Sequence, residues 1–564
     1  MLITDRSKGA LKMAQYVIGV DFGSLSGRAV LVDSRTGQIA AQRTVPYAHG
    51  VMTEGGAGWA LHHPADYLDV LETAVPQVLR DASVPAEQVA AIGWDVTACT
   101  MLPVLADGTP LCMLPEYQRT PHAYMKLWKH LAAEGQARRV EAAIREFDPQ
   151  LLADYGGHVA SQWILPKILQ IAEEAPEVYQ RADYLVEASD WLVLALTGHL
   201  VRSRCFAGFK NFYDPARGGY LPAPLLKNLH PLFEDLTAEK LRGEIAAPWE
   251  CAGTLTPEWA GRLGLCAGTA VAAGIIDAHA GLPGSGVTEP GTMLMAIGTS
   301  TCHMLLSGEK HPMPGICGVV GDSVLPRLYT YEAGQACVGD LLDWFVKEAV
   351  PARETEAAQA TGESIHAYLC REAVQLPPGS GGLMALDWWN GQRSPYVDDR
   401  LSGMMLGLTI RTTPAQQYRA LMEATAYGSR LILDTFEAGG VPVRQIVACG
   451  GIPHKNPLMM QIYADVLGRP IQTVRETETT ALGAAVMAAA AAGIYETPEE
   501  AVRHMTGGRG TVYTPDPQRA AAYKELYREY RRLAAYFAEE NPVMYRLQAL
   551  SAPADMSRSD EQEK

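Results

Sequence analysis

From residue 17 onward the chain sets short apolar runs against sharp polar breaks. Residues 17–20 (Val, Ile, Gly, Val) and 29–32 (Ala, Val, Leu, Val) are apolar, and between them lie Asp21, Phe22, Gly23, Ser24, Leu25, Ser26, Gly27 and Arg28. Two apolar runs split by a Gly/Ser turn predict a β-hairpin. Glycine permits close backbone approach, so the turn's N–H groups and serine hydroxyls can converge on an anion, and Asp21 at the strand mouth suits a hydrated Mg²⁺. Alone, any Gly/Ser hairpin has this look. The pattern recurs: residues 293–297 predict a strand, Gly298, Thr299, Ser300 and Thr301 a turn, and residues 302–306 a return strand. Such turns lie too far apart for one domain of roughly 100 to 200 residues, which predicts two related α/β halves facing one nucleotide.

Between the two turns, helical spacing covers residues 64–80, a strand 89–94, and a hairpin 101–105 closed by Asp107 and Gly108. A more helical region is expected over 121–196, residues 126–130 included, with Gly198 as a helix C′ residue. The small-residue run 268–276 predicts another strand delivering a carboxylate, Asp277. A third nucleotide element follows at 446–449, a strand running into Gly450 and Gly451, after which Asn456 and Pro457 form an N-cap and N1 pair. An Ala-rich helix is expected over 480–492. The implied organisation is an N-terminal extension 1–13, a first lobe 14–287, a second lobe 288–548 and a disordered tail 549–564, with Met13 an alternative start.

Composition narrows the class. The 564 residues are 48% hydrophobic and 20% charged, enough for two large cores. A formal charge of −16 argues against nucleic acid or an anionic membrane as partner. No apolar run is long enough to span a bilayer and no signal-peptide core opens the chain, so a cytoplasmic location is expected. The ten cysteines include no C-x-x-C pair and the fourteen histidines no H-E-x-x-H, so reduced thiols and no structural metal are expected. The oligomeric state stays open, a homodimer being one option.

Two opposed hairpin clamps and a Gly-Gly/helix element make an ATP site without a P-loop, and no G-x-x-x-x-G-K-[ST] occurs. Phosphoryl transfer needs charge neutralisation, in-line positioning and a group to take the acceptor's proton. Asp277 suits that last role as general base. His279 competes for it, but a lone histidine two residues away reads better as a satisfied core residue. Asp21, abutting the first clamp, fits the metal.

These residues resemble the FGGY carbohydrate kinases over nearly the whole chain. The family-wide marks are residues 21–28, 190–198, 274–281 and 298–301, then Gly450, Gly451, Asn456 and Pro457. Narrower marks at 94–100, 208–211, 331–335 and 387–394 resemble the branch that phosphorylates L-ribulose. The resemblance implies a two-lobed α/β fold of the actin/hexokinase/Hsp70 type, with ribonuclease H-like halves around a nucleotide cleft. It implies ATP and Mg²⁺ as cofactors, a ketopentose as partner, and transfer to the 5-hydroxyl of L-ribulose in arabinose catabolism. Carried over by position, Ala98 (backbone), Lys210, Asp277 and Glu332 line the sugar pocket. Gly23, Ser24, Ser26, Arg28, Gly298, Thr299, Ser300, Thr301, Gly450, Gly451 and Asn456 hold the nucleotide, and Asp21 the metal. Ser24 stands where many relatives carry Thr, which keeps the hydroxyl. Trp128, Trp388 and Trp389 read as packing residues. D-ribulose, ribitol and L-xylulose stay open as acceptors, and an acceptor-free chaperone- or filament-type ATPase is the competing class.

Overall fold

A computed structural model describes residues 15–551; the expected extension 1–13 with Met13, and the tail beyond 551, lie outside them. In the first lobe, β1 (Tyr16–Phe22), β2 (Ser26–Asp33) and β3 (Ile39–Pro46) run as an antiparallel meander, and α1 (Pro64–Ala82) leads to β4 (Val89–Val96). Further along come β5 (Cys251–Thr254), β6 (Ala270–Ala272) and β7 (Ile275–Ile276), giving the order β5-β6-β4-β1-β2-β3 with β7 also on β4. β4 is parallel to β1, β6 and β7. The second lobe holds β8 (Thr292–Ile297), β9 (Thr301–Ser307), β10 (Gly318–Gly321), β11 (Tyr329–Gln335), β12 (Gln445–Cys449), β13 (Ile471–Val474) and β14 (Arg509–Tyr513), ordered β10-β11-β9-β8-β12-β13-β14.

The two sheets repeat one pairing pattern. Read from β3 to β5, the steps are antiparallel, antiparallel, parallel, parallel, antiparallel, and the same sequence of steps runs from β11 to β14. The two expected clamps, β1–β2 and β8–β9, therefore occupy equivalent places.

Three expectations need correction. Residues 126–130 are not helical: Met125–Lys126 is a short strand paired with Leu61–His62, because the buried Lys167 ammonium binds the carbonyls of Leu127 and Cys99 and fixes that stretch extended. The run 268–276 is not one strand. Gly274, at φ +81°, kinks it where a side chain would meet Ser189 Oγ at 2.2 Å, and Asp277 opens a helix, Asp277–Gly284, instead of ending a strand. The tail starts later than 549, since the last helix runs Val543–Ser551.

The Ala-rich helix, Thr479–Ala491, packs in an unexpected place. Although it follows the second sheet in sequence, it lies on the first, where Ala481, Ala485 and Ala488 join Val17, Val30 and Ala91 in one core. Small residues make the approach close enough that a Cβ on Gly19 would sit 1.9 Å from the Ala481 carbonyl, and one on Gly483 equally near that of Ala280. Helix Asp277–Gly284 is thus clamped against Thr479–Ala491, which fixes where Asp277 points.

Candidate active site

The first clamp closes through Gly23 N–H donating to Ser26 O at 3.0 Å, the second through Gly298 N–H to Ser300 O at 2.9 Å. In each, the tip N–H groups (Ser24 and Leu25, Thr299 and Ser300) donate to nothing among the described residues, which leaves them for an anion. The carbonyls of Gly298 and Thr299 are meanwhile taken by the N–H groups of Gly339, Val338 and Asp340, so the second tip presents donors alone. Thr301 differs from its expected place in the turn. It is the first residue of β9, fully buried, with its hydroxyl unpartnered and turned from solvent. Arg28 is held by Glu478 and Thr44. Trp128 departs from its reading as packing: 37% exposed, it donates Nε1–H to Ser24 Oγ at 2.9 Å and steadies the first tip.

Gly450, at φ +97°, ends β12 where a Cβ would lie 2.5 Å from Ile297 O, which sets the Gly-Gly element beside the second clamp. Asn456 caps helix Pro457–Leu467, accepting the Met459 N–H at 3.0 Å, as its sequence signature predicts.

Three carboxylates gather at the strand ends of the first lobe. Asp21 and Asp95 are direct partners across the parallel β1–β4 pair, and Asp277 follows β7 on the other side of β4. Asp95 is fully buried and its carboxyl is pushed well up, by burial first and by Asp21 next. Asp21 is likewise raised, by burial first, and neither carboxyl oxygen of Asp95 has a hydrogen-bond partner among the described residues. Asp277 retains partial exposure and is pushed up to about 7, chiefly by burial, although its own helix's Ala278 N–H donates to Oδ1 at 2.7 Å. No group of three or more His, Cys, Asp or Glu among the described residues is arranged to hold a metal. A hydrated Mg²⁺ needs only one or two carboxylates beside nucleotide phosphates, and Asp21 by the first clamp fits that demand.

The sequence-predicted sugar residues converge from both lobes. Lys210 ends helix Arg204–Lys210, and its Nζ lies 2.8 Å from Glu332 Oε2 of β11, both side chains being 4% exposed. His279 Nε2 is 3.1 Å from the same oxygen, with Cys205 Sγ at its Nδ1. Burial keeps His279 neutral, so Nε2–H donates to the carboxylate and Nδ1 accepts from the thiol. Arg393 binds Glu332 Oε1. Burial alone would raise Glu332, but Lys210, His279 and Arg393 outweigh it and hold the carboxyl well below its ordinary range. Ala98 lies in the bend after β4, where Cys99 takes φ +59° and the Ala98 N–H has no partner among the described residues. Arg393 and Asp95 were missed as site residues, and His279, weighed as a base, was read as a core residue. All three stand inside the motifs 387–394, 94–100 and 274–281, but only the fold places Arg393 and His279 on Glu332 and Asp95 beside Asp21.

The arrangement combines a two-sided anion cradle, a near-neutral carboxyl and a donor-rich buried cage. Residues 16–284 match the N-terminal domain, and 293–492 the C-terminal domain, of the FGGY family of carbohydrate kinases. A protein named ribulokinase from Halalkalibacterium halodurans is 47% identical over 551 residues, covering 95% of this chain and 98% of that one. Another ribulokinase, from Geobacillus thermodenitrificans, is 47% identical over 94% of this chain and 96% of its own. A xylulose kinase structure from Rhodospirillum rubrum superposes at TM-score 0.76 with 24% identity, covering 94% of this chain and all of that one. With both domains matched over most of its length, the chain belongs to the FGGY family of carbohydrate kinases.

Proposed function

We propose that this sugar kinase transfers the γ-phosphoryl of ATP to the 5-hydroxyl of L-ribulose, the first committed use of that sugar in arabinose catabolism, in the cytoplasm. The observation that carries this reading is the Lys210–Glu332 pair meeting across the cleft beside Asp277. A ketopentose offers hydroxyls and one carbonyl, and a buried cage of paired donors and acceptors penalises any acceptor that leaves one unmatched. The ribulokinase name of relatives at 47% identity supports the same acceptor.

In this reading Ser24, Leu25, Thr299 and Ser300 hold the nucleotide's phosphates through backbone N–H groups, and Gly450, Gly451 and Asn456 bound the rest of the nucleotide. Asp21 holds a hydrated Mg²⁺, which neutralises charge on the β- and γ-phosphates. Lys210, Glu332 and the Ala98 N–H orient the sugar. Asp277 takes the 5-hydroxyl proton as the phosphoryl arrives, and a carboxyl near 7 is matched to that task at neutral pH. The chain first crosses from one lobe to the other near Val287, and hinge closure there excludes water from the phosphoryl group. A coupled assay of ADP release over a panel of L-ribulose, D-ribulose, ribitol and L-xylulose tests the reading. The highest kcat/KM is expected for L-ribulose, and turnover that needs no sugar would refute it.

A further inference from the structure

The chain passes between the lobes three times: after helix Asp277–Gly284, before helix Thr479–Ala491, and before β14. Two adjoining cavities, of about 310 and 600 Å³, lie where these crossings run together. Ser285 and Glu289 line them from the first crossing, Arg475 from the second and Gly507 from the third; Thr506, Gly507 and Arg509 border both. None of the clamp, carboxylate or sugar-cage residues reaches them. Their combined size is that of a small-metabolite site.

Their charge is unusual for a chain of net −16. The side chains of Arg475, Arg503 and Arg509 make no hydrogen bond or ion pair among the described residues. The neighbouring carboxylates include Glu476, whose Oε1 accepts the N–H groups of Thr477 and Glu478, each at 2.8 Å, and Glu499, which faces Arg327 at 3.5 Å while its Oε2 is buried without a partner. Glu289 remains, near its own Thr288 hydroxyl. Four guanidiniums, of Arg327, Arg475, Arg503 and Arg509, line the cavities against the three carboxylates of Glu289, Glu476 and Glu499; the three without an ion pair, with Gly507 and Gly508 backbone beside them, suit a phosphate group, which planar guanidinium forks bind bidentately.

We propose that this hinge cavity is an effector site for a small phosphorylated metabolite. Because its walls belong to all three crossings, a ligand there meets different wall spacings in the open and closed lobe arrangements. It therefore shifts their populations in proportion to its preference between them. The expected consequence is a change in substrate KM without any contact to substrate.

Calorimetry on the full chain, with the nucleotide site filled by a non-hydrolysable ATP analogue and Mg²⁺, tests this with inorganic phosphate and pyrophosphate as probes. One saturable site is expected, weakened at least tenfold in Arg475→Gln/Arg509→Gln and in Arg503→Gln. These side chains are exposed, so both variants should melt with the wild type. In turnover assays phosphate should move the sugar KM several-fold in the wild type and not in the double variant. Absence of saturable heat, equal affinity in wild type and variants, or an equal KM shift in both would overturn the proposal. The calorimetric result does not depend on which sugar is phosphorylated.

Discussion

Replacing Arg393 by glutamine removes one of three groups that hold Glu332 ionised in a site where its side chain is 4% exposed. Two limits frame the size of the effect. Leaving a buried charge wholly unpaired costs about 3–5 kcal/mol, but Lys210 at 2.8 Å and His279 at 3.1 Å remain on Oε2. The loss is therefore nearer one charge-assisted hydrogen bond, about 1.5–3 kcal/mol, or roughly tenfold to 150-fold in an equilibrium or rate constant. In the proposed function Glu332 meets the acceptor and not the clamps, so the loss should fall on kcat/KM for the sugar, with KM for ATP within about twofold of wild type. Arg393→Lys should restore only part, since an ammonium reaches Glu332 as a point charge but cannot also keep the second contact, to Cys302 Sγ at 3.5 Å. Steady-state ADP release with each substrate varied in turn separates the cases. A parallel rise of KM for ATP, or a sugar kcat/KM unchanged in Arg393→Gln, would refute the idea that the cage is an acceptor device.

Asp277→Asn should lose phosphorylation by several orders of magnitude while nucleotide affinity, read by calorimetry, holds; near-normal turnover would place the base elsewhere. In the wild type the base must be ionised, so kcat/KM for the sugar should fall as pH drops below about 7, following the raised Asp277 carboxyl, and the pH profile of sugar kcat/KM checks this limb. Asp21→Asn should raise the Mg²⁺ concentration needed for half-maximal rate by about tenfold or more, as a metal titration would show. Gly483→Ala would set a Cβ 1.9 Å from the Ala280 carbonyl, so thermal unfolding should reveal a loss of ~1–3 kcal/mol or more, whereas Gly135→Ala, with open space around it, should be neutral or better.

Local chemistry carried much of the fold into the sequence. The turn residues at 23–26 and 298–300, the αL Gly198 at φ +75° and the Asn456–Pro457 cap each act through neighbours a few positions away, so their structures follow from short-range sterics and hydrogen bonding. Burial and distant pairing decided the rest. Residues 126–130 hold good helix formers, yet a buried lysine from position 167 ties their carbonyls elsewhere. The Ala-rich helix shows its type in its composition but not its lobe, because methyl-sized residues fit any close contact and the glycines that receive it stand hundreds of positions away.

The candidate site divides along the same line. The sequence by itself determined the two clamps, their donors, and which residue types, Asp21, Asp277, Lys210 and Glu332, are available for phosphoryl transfer. Tertiary structure alone decided that Asp21 and Asp95 meet across β1 and β4 and are both pushed up by burial, that Asp277 is pushed up to about 7, and that Lys210, His279 and Arg393 converge on Glu332 and hold it well below its ordinary range. The reason is that ionisation depends on the solvent and charges a group actually meets, and those are fixed only when strands and lobes distant in sequence have packed together.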